Sequence, residues 1–440
     1  MSLAWPIALN AILMQSMLII DTLLVSPLGE LPLAAMGIAS TLIAFILGVQ
    51  FALANGTQMV IARAFGAESN SALAKGLVTG VVINILVAIL FLALLLLSSE
   101  QIIALLTDDK ILAVQVESYL SICQYIIILT AFTQVFTSYF NGIGESKVPF
   151  TGYLLELPFN GIVSYVLIFG LQIPSFKIST FQPLSFQGIG FEGAAMGSVL
   201  AVGLRFVFLI WQLYKQNIVR YLNLKQSTFI NDCKEHFCEI YPIAINFTIL
   251  SIGNTVYLLL FSQLTIYAYV AVTLIFPWIR IGTQFINAWA QATAISISQA
   301  MGKKQIELIK PIINSSIVVG IIASLFIALA FYLLSLSISF IYPEIQKDTY
   351  YALGNIASLY IALPIVRTFN TISGHSLRAL GKSIAVLKIH FCMQWLVMLP
   401  SCALIVLYFK LSIFWAFSCL IIEELMKAVP FYIMLNKVRR

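Results

Sequence analysis

The sequence predicts an all-α polytopic membrane protein, with twelve transmembrane helices in two six-helix lobes related by a pseudo-twofold axis. Three observations predict it. The 440 residues are 60% hydrophobic and only 10% charged, whereas a soluble domain is about a quarter charged; too little polar sequence remains to cover a water-soluble globule. Apolar stretches of the length that a bilayer core demands, about 20 residues per helix, recur twelve times. One half of the chain also echoes the other at a fixed offset.

The apolar stretches cover residues 5–26, 33–62, 76–98, 115–141, 149–172, 190–214, 240–262, 266–298, 311–341, 350–374, 384–409 and 411–433. They are too long and too weakly alternating for the strands of an outer-membrane barrel, which run about 10 residues. In lipid the backbone must hydrogen-bond within its own segment, which leaves the helix. The first stretch has neither the basic flank nor the small-residue cleavage site of a signal peptide, and it is copied in mid-chain, so it is read as retained.

The echo starts with "PIALNAIL" at Pro6 and "PIAINFTIL" at Pro242, 236 residues apart. "FGAESNSAL" and "MGKKQIEL" set Gly66 and Gly302 at the same spacing, and "NGIGESK" and "RALGKS" set Gly144 and Gly381 237 apart. A constant offset marks a duplicated half. Six helices return the chain to its starting side, so both halves enter the membrane in the same direction. Parallel repeats of this kind are a transporter architecture. The expected division is an N-terminal lobe at 1–214, a cytoplasmic linker at 215–239 and a C-terminal lobe at 240–440. Each anchor glycine follows a helix and suits a left-handed C-cap, so these glycines are read as structural.

Lysines and arginines set the orientation. With the N-terminus inside, the inner loops and tail hold Arg63, Lys75, Lys147, Lys215, Arg220, Lys225, Lys234, Lys303, Lys304, Lys310, Arg378, Lys382, Lys437, Arg439 and Arg440. The outer loops hold Lys110, Lys177, Lys347 and Lys410. Fifteen against four places both termini in the cytoplasm of a bacterial-type inner membrane. The formal charge of +6 therefore reflects topology, and nucleic acid is not an expected partner.

Several stretches together resemble the multidrug and toxic compound extrusion (MATE) transporters. "DTLLVSPLGELPLAAMGIAS" (Asp21–Ser40) is similar to their first-to-second-helix signature, with "FGAESNSAL" and "NGIGESKVPF" at the exits of the second and fourth helices. "GIGFEGAAMGS", ending at Ser198, resembles the fifth-to-sixth-helix pattern, and "SISQAMGKKQ" and "SLRALGKS" are second-half counterparts. The resemblance implies a secondary antiporter that exports small organic compounds, drugs or toxic metabolites, in exchange for H⁺ or Na⁺ by alternating access. The loop "ARAFGAESNSALAKG" lacks the hallmark of the major facilitator superfamily, the other large class with two six-helix lobes.

An ionisable residue inside a bilayer is a functional candidate by default. Here these are Asp21, Glu156, Glu423, Glu424, Arg205, Arg280, Arg367, Lys388 and Lys427. Asp21, within "MLIIDTLLV", leads. A carboxylate removed from water takes up a proton more readily, as a coupling residue must, and the family carries an aspartate on its first helix. The resemblance also maps Asn160 and Ser198 beside that aspartate. Ser164 falls where sodium-binding members carry a second aspartate. One carboxylate plus Asn160, Ser164 and Ser198 favours H⁺ over Na⁺. Members coupled through the second lobe carry two further acids, whose places fall near Leu250 and Arg367, so coupling through that lobe is not expected.

Glu156 lies one turn from Asn160 on one helical face; it serves as a substrate contact or shares protons with Asp21, or it pairs with Arg205 and is structural. Arg280 and Arg367 each stand three residues after a proline, Pro277 and Pro364. Facing a cavity they would take an anionic or zwitterionic substrate; otherwise they pair with Glu423 or Glu424. Glu423 and Lys427 have i, i+4 spacing and can neutralise one another. Trp278, Trp289 and Trp395 are candidates to line a cavity for flat apolar compounds. Cys233, His236 and Cys238 offer three ligands without a fourth, so no metal site is expected. No glycine-rich phosphate loop with its lysine occurs, so neither an enzyme nor a nucleotide-driven pump is predicted. The expected partners are a small organic substrate and the bilayer, with the protein a monomer and H⁺ as coupling ion in place of any cofactor. Two alternatives stand beside the antiporter: a flippase of lipid-linked oligosaccharide or another anionic lipid, and a dedicated exporter of an acidic metabolite such as a siderophore.

Overall fold

A computed structural model of the chain describes residues 4–106, 109–172, 185–216, 218, 226–342 and 345–439. Lys177, Arg220, Lys225 and Arg440, used above for orientation, lie outside the described residues. The described chain is almost wholly helical, as the backbone's need for internal partners in hydrocarbon requires. The helices are α1 (Ala4–Val25), α2 (Glu30–Gly66), α3 (Asn70–Leu106), α4 (Lys110–Cys123), α5 (Tyr125–Gly142), α6 (Lys147–Phe169) and α7 (Phe191–Lys215). After them come α8 (Gln226–Phe261), α9 (Ile266–Gly302), α10 (Ile309–Ile341), α11 (Lys347–Ala379), α12 (Ser383–Phe391), α13 (Leu399–Ala403) and α14 (Ile413–Arg439). A two-stranded antiparallel ladder, Leu171–Gln172 with Ser185–Phe186, follows α6. Wide π-turns at Cys392–Met398 and Leu404–Tyr408 flank α13, so α12 and α13 read as one span. At 37 residues, α2, α3 and α9 are about 55 Å long and overrun the membrane core.

Eleven of the twelve expected spans are long and apolar enough to cross a membrane. The twelfth, α14, has the length at 27 residues but carries Glu423, Glu424 and Lys427. Lys427 Nζ lies 2.5 Å from Glu423 and 3.8 Å from Glu424, and Arg367 of α11 supplies the second cation, 3.2 Å from Glu424.

The chain forms two compact units. The first holds Leu9–Ile61 and Asn70–Phe237; the second holds Met1–Ala8, Ala62–Ser69 and Cys238–Arg440. The first unit's core is built around Met36, Leu95, Tyr119, Ile127 and Ile168. The second is built around Tyr257, Ile275, Phe331, Tyr360 and Phe417. The stretch 215–239 is helical from Gln226, where α8 begins. His236 on α8 is buried, its Nε2 3.1 Å from Thr57 Oγ1 and its Nδ1 2.5 Å from Thr79 Oγ1. Lys75 and Asp232 form an ion pair at 2.5 Å in the same unit.

The duplication is visible bond by bond. Ser69 N donates to Ala64 O at 3.2 Å, and 236 residues on, Gln305 N donates to Ala300 O at 2.9 Å. Left-handed residues close both helices, but they are Glu68 (φ 54°) and Lys304 (φ 59°), not the anchor glycines. Gly144 and Gly381 do take positive φ. Gly66 and Gly302 serve a different need. A Cβ on Gly66 would lie 2.1 Å from Gln299 O, and one on Gly302 would lie 2.0 Å from Arg63 O. The ends of α2 and α9 thus touch backbone to backbone through a reciprocal pair of small residues, the contact by which membrane helices approach closely. Gly66→Ala or Gly302→Ala should part these ends and lower the midpoint of thermal unfolding in detergent. Because both changes break one contact, the double variant should fall well short of the sum of the two shifts.

Candidate functional site

In the first unit four side chains converge from three helices. Asp21 projects from α1 and is buried. Asn160 Nδ2 on α6 donates to its Oδ1 at 2.8 Å, and Ser198 Oγ on α7 donates to its Oδ2 at 2.8 Å. Ser164, one turn beyond Asn160, donates to Asn160 Oδ1 at 2.9 Å, while the acceptor-only carboxylate of Asp21 fixes which end of the amide meets it. Asp21, Asn160, Ser164 and Ser198, expected to gather, are all brought together. No arginine or lysine pairs with Asp21 among the described residues, and the two donors it meets are neutral.

Close packing of α6 on α7 holds this geometry. The stretch "GAAMGS" sets Gly193 and Gly197 one turn apart. A Cβ at Gly193 would lie 2.6 Å from the Leu167 backbone, and one at Gly197 would lie 2.1 Å from Ser164 Oγ. Only hydrogen fits at either place, and Ser198 is delivered beside the acid by the residue before it. Two residues escaped the sequence reading: Tyr119 and Cys123, one turn apart on α4 and both buried in the core of this unit. Tyr119 stacks on Phe191 with ring centroids 4.9 Å apart. Their i, i+4 spacing is a faint signal, since an apolar span offers many such pairs.

Glu156 does not join the Asp21 group and is not open as a substrate contact. It is buried and pairs with Arg205 Nη1 at 3.2 Å. Arg205 Nη2 donates to Thr133 Oγ1 at 3.1 Å, and the guanidinium lies 4.3 Å from the Tyr153 ring centroid. This is the pairing alternative for Glu156.

The second unit gathers a larger polar group. Arg367 on α11 donates through Nε to Glu424 at 3.2 Å and through Nη1 to Thr283 at 3.4 Å. Asn370 donates to the same carboxylate at 2.8 Å. Tyr257 donates to Glu423 at 2.6 Å. Arg280 is exposed and forms no ion pair among the described residues. Trp278, Trp289 and Trp395 each anchor an indole N–H within the unit, on Tyr342, Ser316 O and Ile249 O.

The sequence model of the family MatE matches residues 6–166 and 242–404, the two halves of the repeat. The chain belongs to the MATE family. It is therefore an integral membrane transporter and not an enzyme. Solved structures share the fold. One, described as the outward-facing conformation of a multidrug resistance MATE family transporter of the MOP superfamily, matches with TM-score 0.83 at 16% identity, over 100% of this chain and 94% of its own. The bent form of the Vibrio cholerae MATE transporter VcmN matches with TM-score 0.83 at 19% identity, over 99% and 96%. A Pyrococcus furiosus MOP superfamily transporter, described by the reverse polarity of its binding pocket, matches with TM-score 0.85 at 15% identity, over 100% and 95%. The comparison with curated proteins returns no match.

Two predictions separate positioning from charge in this MATE protein. Gly197→Ala should abolish transport as fully as loss of Asp21, because the wedge moves Ser164 and with it Asn160; vesicle uptake assays on folded protein test this. Glu156→Gln should destabilise the fold by about 3–5 kcal/mol by stranding Arg205. Glu156→Gln with Arg205→Met should recover most of that loss in thermal unfolding.

Proposed function

We propose that the protein is a secondary active antiporter that exports small organic compounds in exchange for H⁺ by alternating access, with Asp21 as the proton carrier. The observation that carries this reading is the pairing of Asp21: a buried carboxylate met on each oxygen by one neutral donor and by no cation. A buried charge without a counter-charge is the one whose protonation the surroundings most readily change.

The donors also name the atom that takes the proton. The Asn160 amide nitrogen cannot accept a hydrogen bond, so a proton on Oδ1 would leave two donors facing each other. The Ser198 hydroxyl can turn and accept. The proton therefore sits on Oδ2, where Ser198 changes from donor to acceptor, and the Asn160 bond survives. A bound Na⁺ would instead need oxygens pointing inward, and Asn160 presents its N–H₂. This supports H⁺ as the coupling ion. The cationic bias of the loops supports a cytoplasmic membrane with both termini inside.

In proteoliposomes an imposed proton gradient should drive export of an organic dye, and a sodium gradient alone should not. Asp21→Asn should abolish the response to the proton gradient while leaving dye binding within about twofold. Ser198→Thr should retain transport, whereas Ser198→Ala should lower it at least tenfold. Full proton-driven export by Asp21→Asn would defeat the proposal.

A further inference from the structure

The charge network of the second unit contains two carboxylates and two cations, and it is not symmetric. Glu424 has three partners: Arg367 at 3.2 Å, Lys427 at 3.8 Å and Asn370 at 2.8 Å. Arg367 has that carboxylate and the Thr283 hydroxyl at 3.4 Å. Lys427 has Glu423 at 2.5 Å as its nearer partner, and Glu423 is held as well by Tyr257 at 2.6 Å. Removing Glu424 from Arg367 leaves Glu424 with a cation and an amide. Removing Arg367's carboxylate without replacement leaves the guanidinium with one hydroxyl.

We infer that Arg367 is an anion-binding residue of this transporter and that Glu424 is a built-in stand-in for the anionic group of an organic ligand. The inference deepens the transporter reading by naming a substrate class, and it rests on that reading only for the existence of an organic ligand. The asymmetry fixes the sign. An anionic ligand that takes Arg367 leaves Glu424 with Asn370 and a share of Lys427, whose nearer partner is Glu423, so no charged group is left without a partner. A cationic ligand that took Glu424 would strand Arg367, and an unpaired buried charge is the costly outcome. Exposure agrees. The Arg367 side chain is 25% accessible, against 10% for Glu424 and 5% for Lys427. A mid-helix guanidinium that is partly open faces water in preference to hydrocarbon.

A second cation stands close by. Arg280 lies three residues before Thr283 on α9, which is about 4.5 Å along the axis and on the same side of the helix. It is exposed, and it has no ion pair among the described residues. Thr283 is the residue that Arg367 touches from α11. The ligand is then an organic carboxylate or phosphate whose oxygens take the Arg367 fork, with Arg280 in reach of a second anionic oxygen. A guanidinium binds such a group through two parallel N–H bonds.

The test is equilibrium binding of carboxyfluorescein to the purified full chain in detergent, read by fluorescence polarisation. No gradient is present, so a failure here is separable from a failure of proton coupling at Asp21. Glu424→Gln frees Arg367 and should tighten binding about tenfold. Two charge-matched double variants then separate Arg367 from general electrostatics. Glu424→Gln with Arg367→Gln should lose the gain, and Glu424→Gln with Lys427→Gln should keep it. Arg367→Lys, which retains the charge without the fork, should weaken binding at least fivefold and covers the case in which a Glu424 variant does not fold. Competition by a short-chain phosphatidylglycerol would assign the site to a lipid phosphate, and its absence to a soluble organic anion. Unchanged or weaker binding in Glu424→Gln, or equal gains in both double variants, would overturn the inference.

Discussion

A charge buried among membrane helices must find its partner inside the protein, and the buried acids of the described spans answer that demand in three ways. Glu156 and Arg205 form a closed pair, with Thr133 and Tyr153 completing the shell around the guanidinium. Glu423, Glu424, Arg367 and Lys427 share their charges across two helices. Among the buried acids of the described residues, Asp21 alone has no cation, only an amide and a hydroxyl. These arrangements rank the groups by what they can do. A closed pair resists change, because loss of either member strands the other. A shared network can exchange partners. An acid held only by neutral donors can change its own charge.

Packing supplies the precision that these pairings need. Between helices in lipid there is no hydrophobic drive, so close approach comes from small residues and van der Waals contact. Gly193 and Gly197 let α6 lie on α7 so tightly that Ser164, Asn160 and Ser198 fall within hydrogen-bond distance of their partners. The same stretch thus sets the helix contact and the geometry around Asp21. Gly66 and Gly302 repeat the device at the ends of α2 and α9, where the tightness serves the helix contact alone.

The sequence made some of this legible and left some hidden, for identifiable reasons. Spans and repeat were readable because apolar length and backbone satisfaction are physical demands on every membrane helix. α14 was readable as a helix, though its three charges take it out of the apolar class. The Asp21 group was readable through the family resemblance, helped by the single-turn spacing of Asn160 and Ser164. For Glu156 the spacing left its role open between the Asn160 face and a pair with Arg205, and the coordinates choose the pair. Arg367 and Glu424 stand 57 residues apart, and nothing local joins them. The linker at 215–239 read as polar surface, yet His236 within it is buried between two threonines. The role of Gly66 and Gly302 was misread as capping because a glycine after a helix has two uses, and only coordinates separate a left-handed cap from a close approach.

The duplication explains why one half carries a lone acid and the other a network. The offset of 236 holds at Pro6 and Pro242 and again at Gly66 and Gly302, so no net insertion lies between. Asp21 lies within that interval, and its counterpart is Tyr257. Tyr257 is fully buried, as a carboxyl at that place would be, but it brings a hydroxyl donor, which it spends on Glu423. The second half therefore has no acid at the repeated position. Its acids stand on the last helix, each within reach of Lys427, and one of them within reach of Arg367. From one ancestral half came two answers to the same cost of buried charge. One is a carboxylate that can be neutralised only by taking a proton. The other is a set of carboxylates already neutralised by the protein's own cations. A proton carrier needs the first arrangement, and a ligand that must displace an internal partner needs the second.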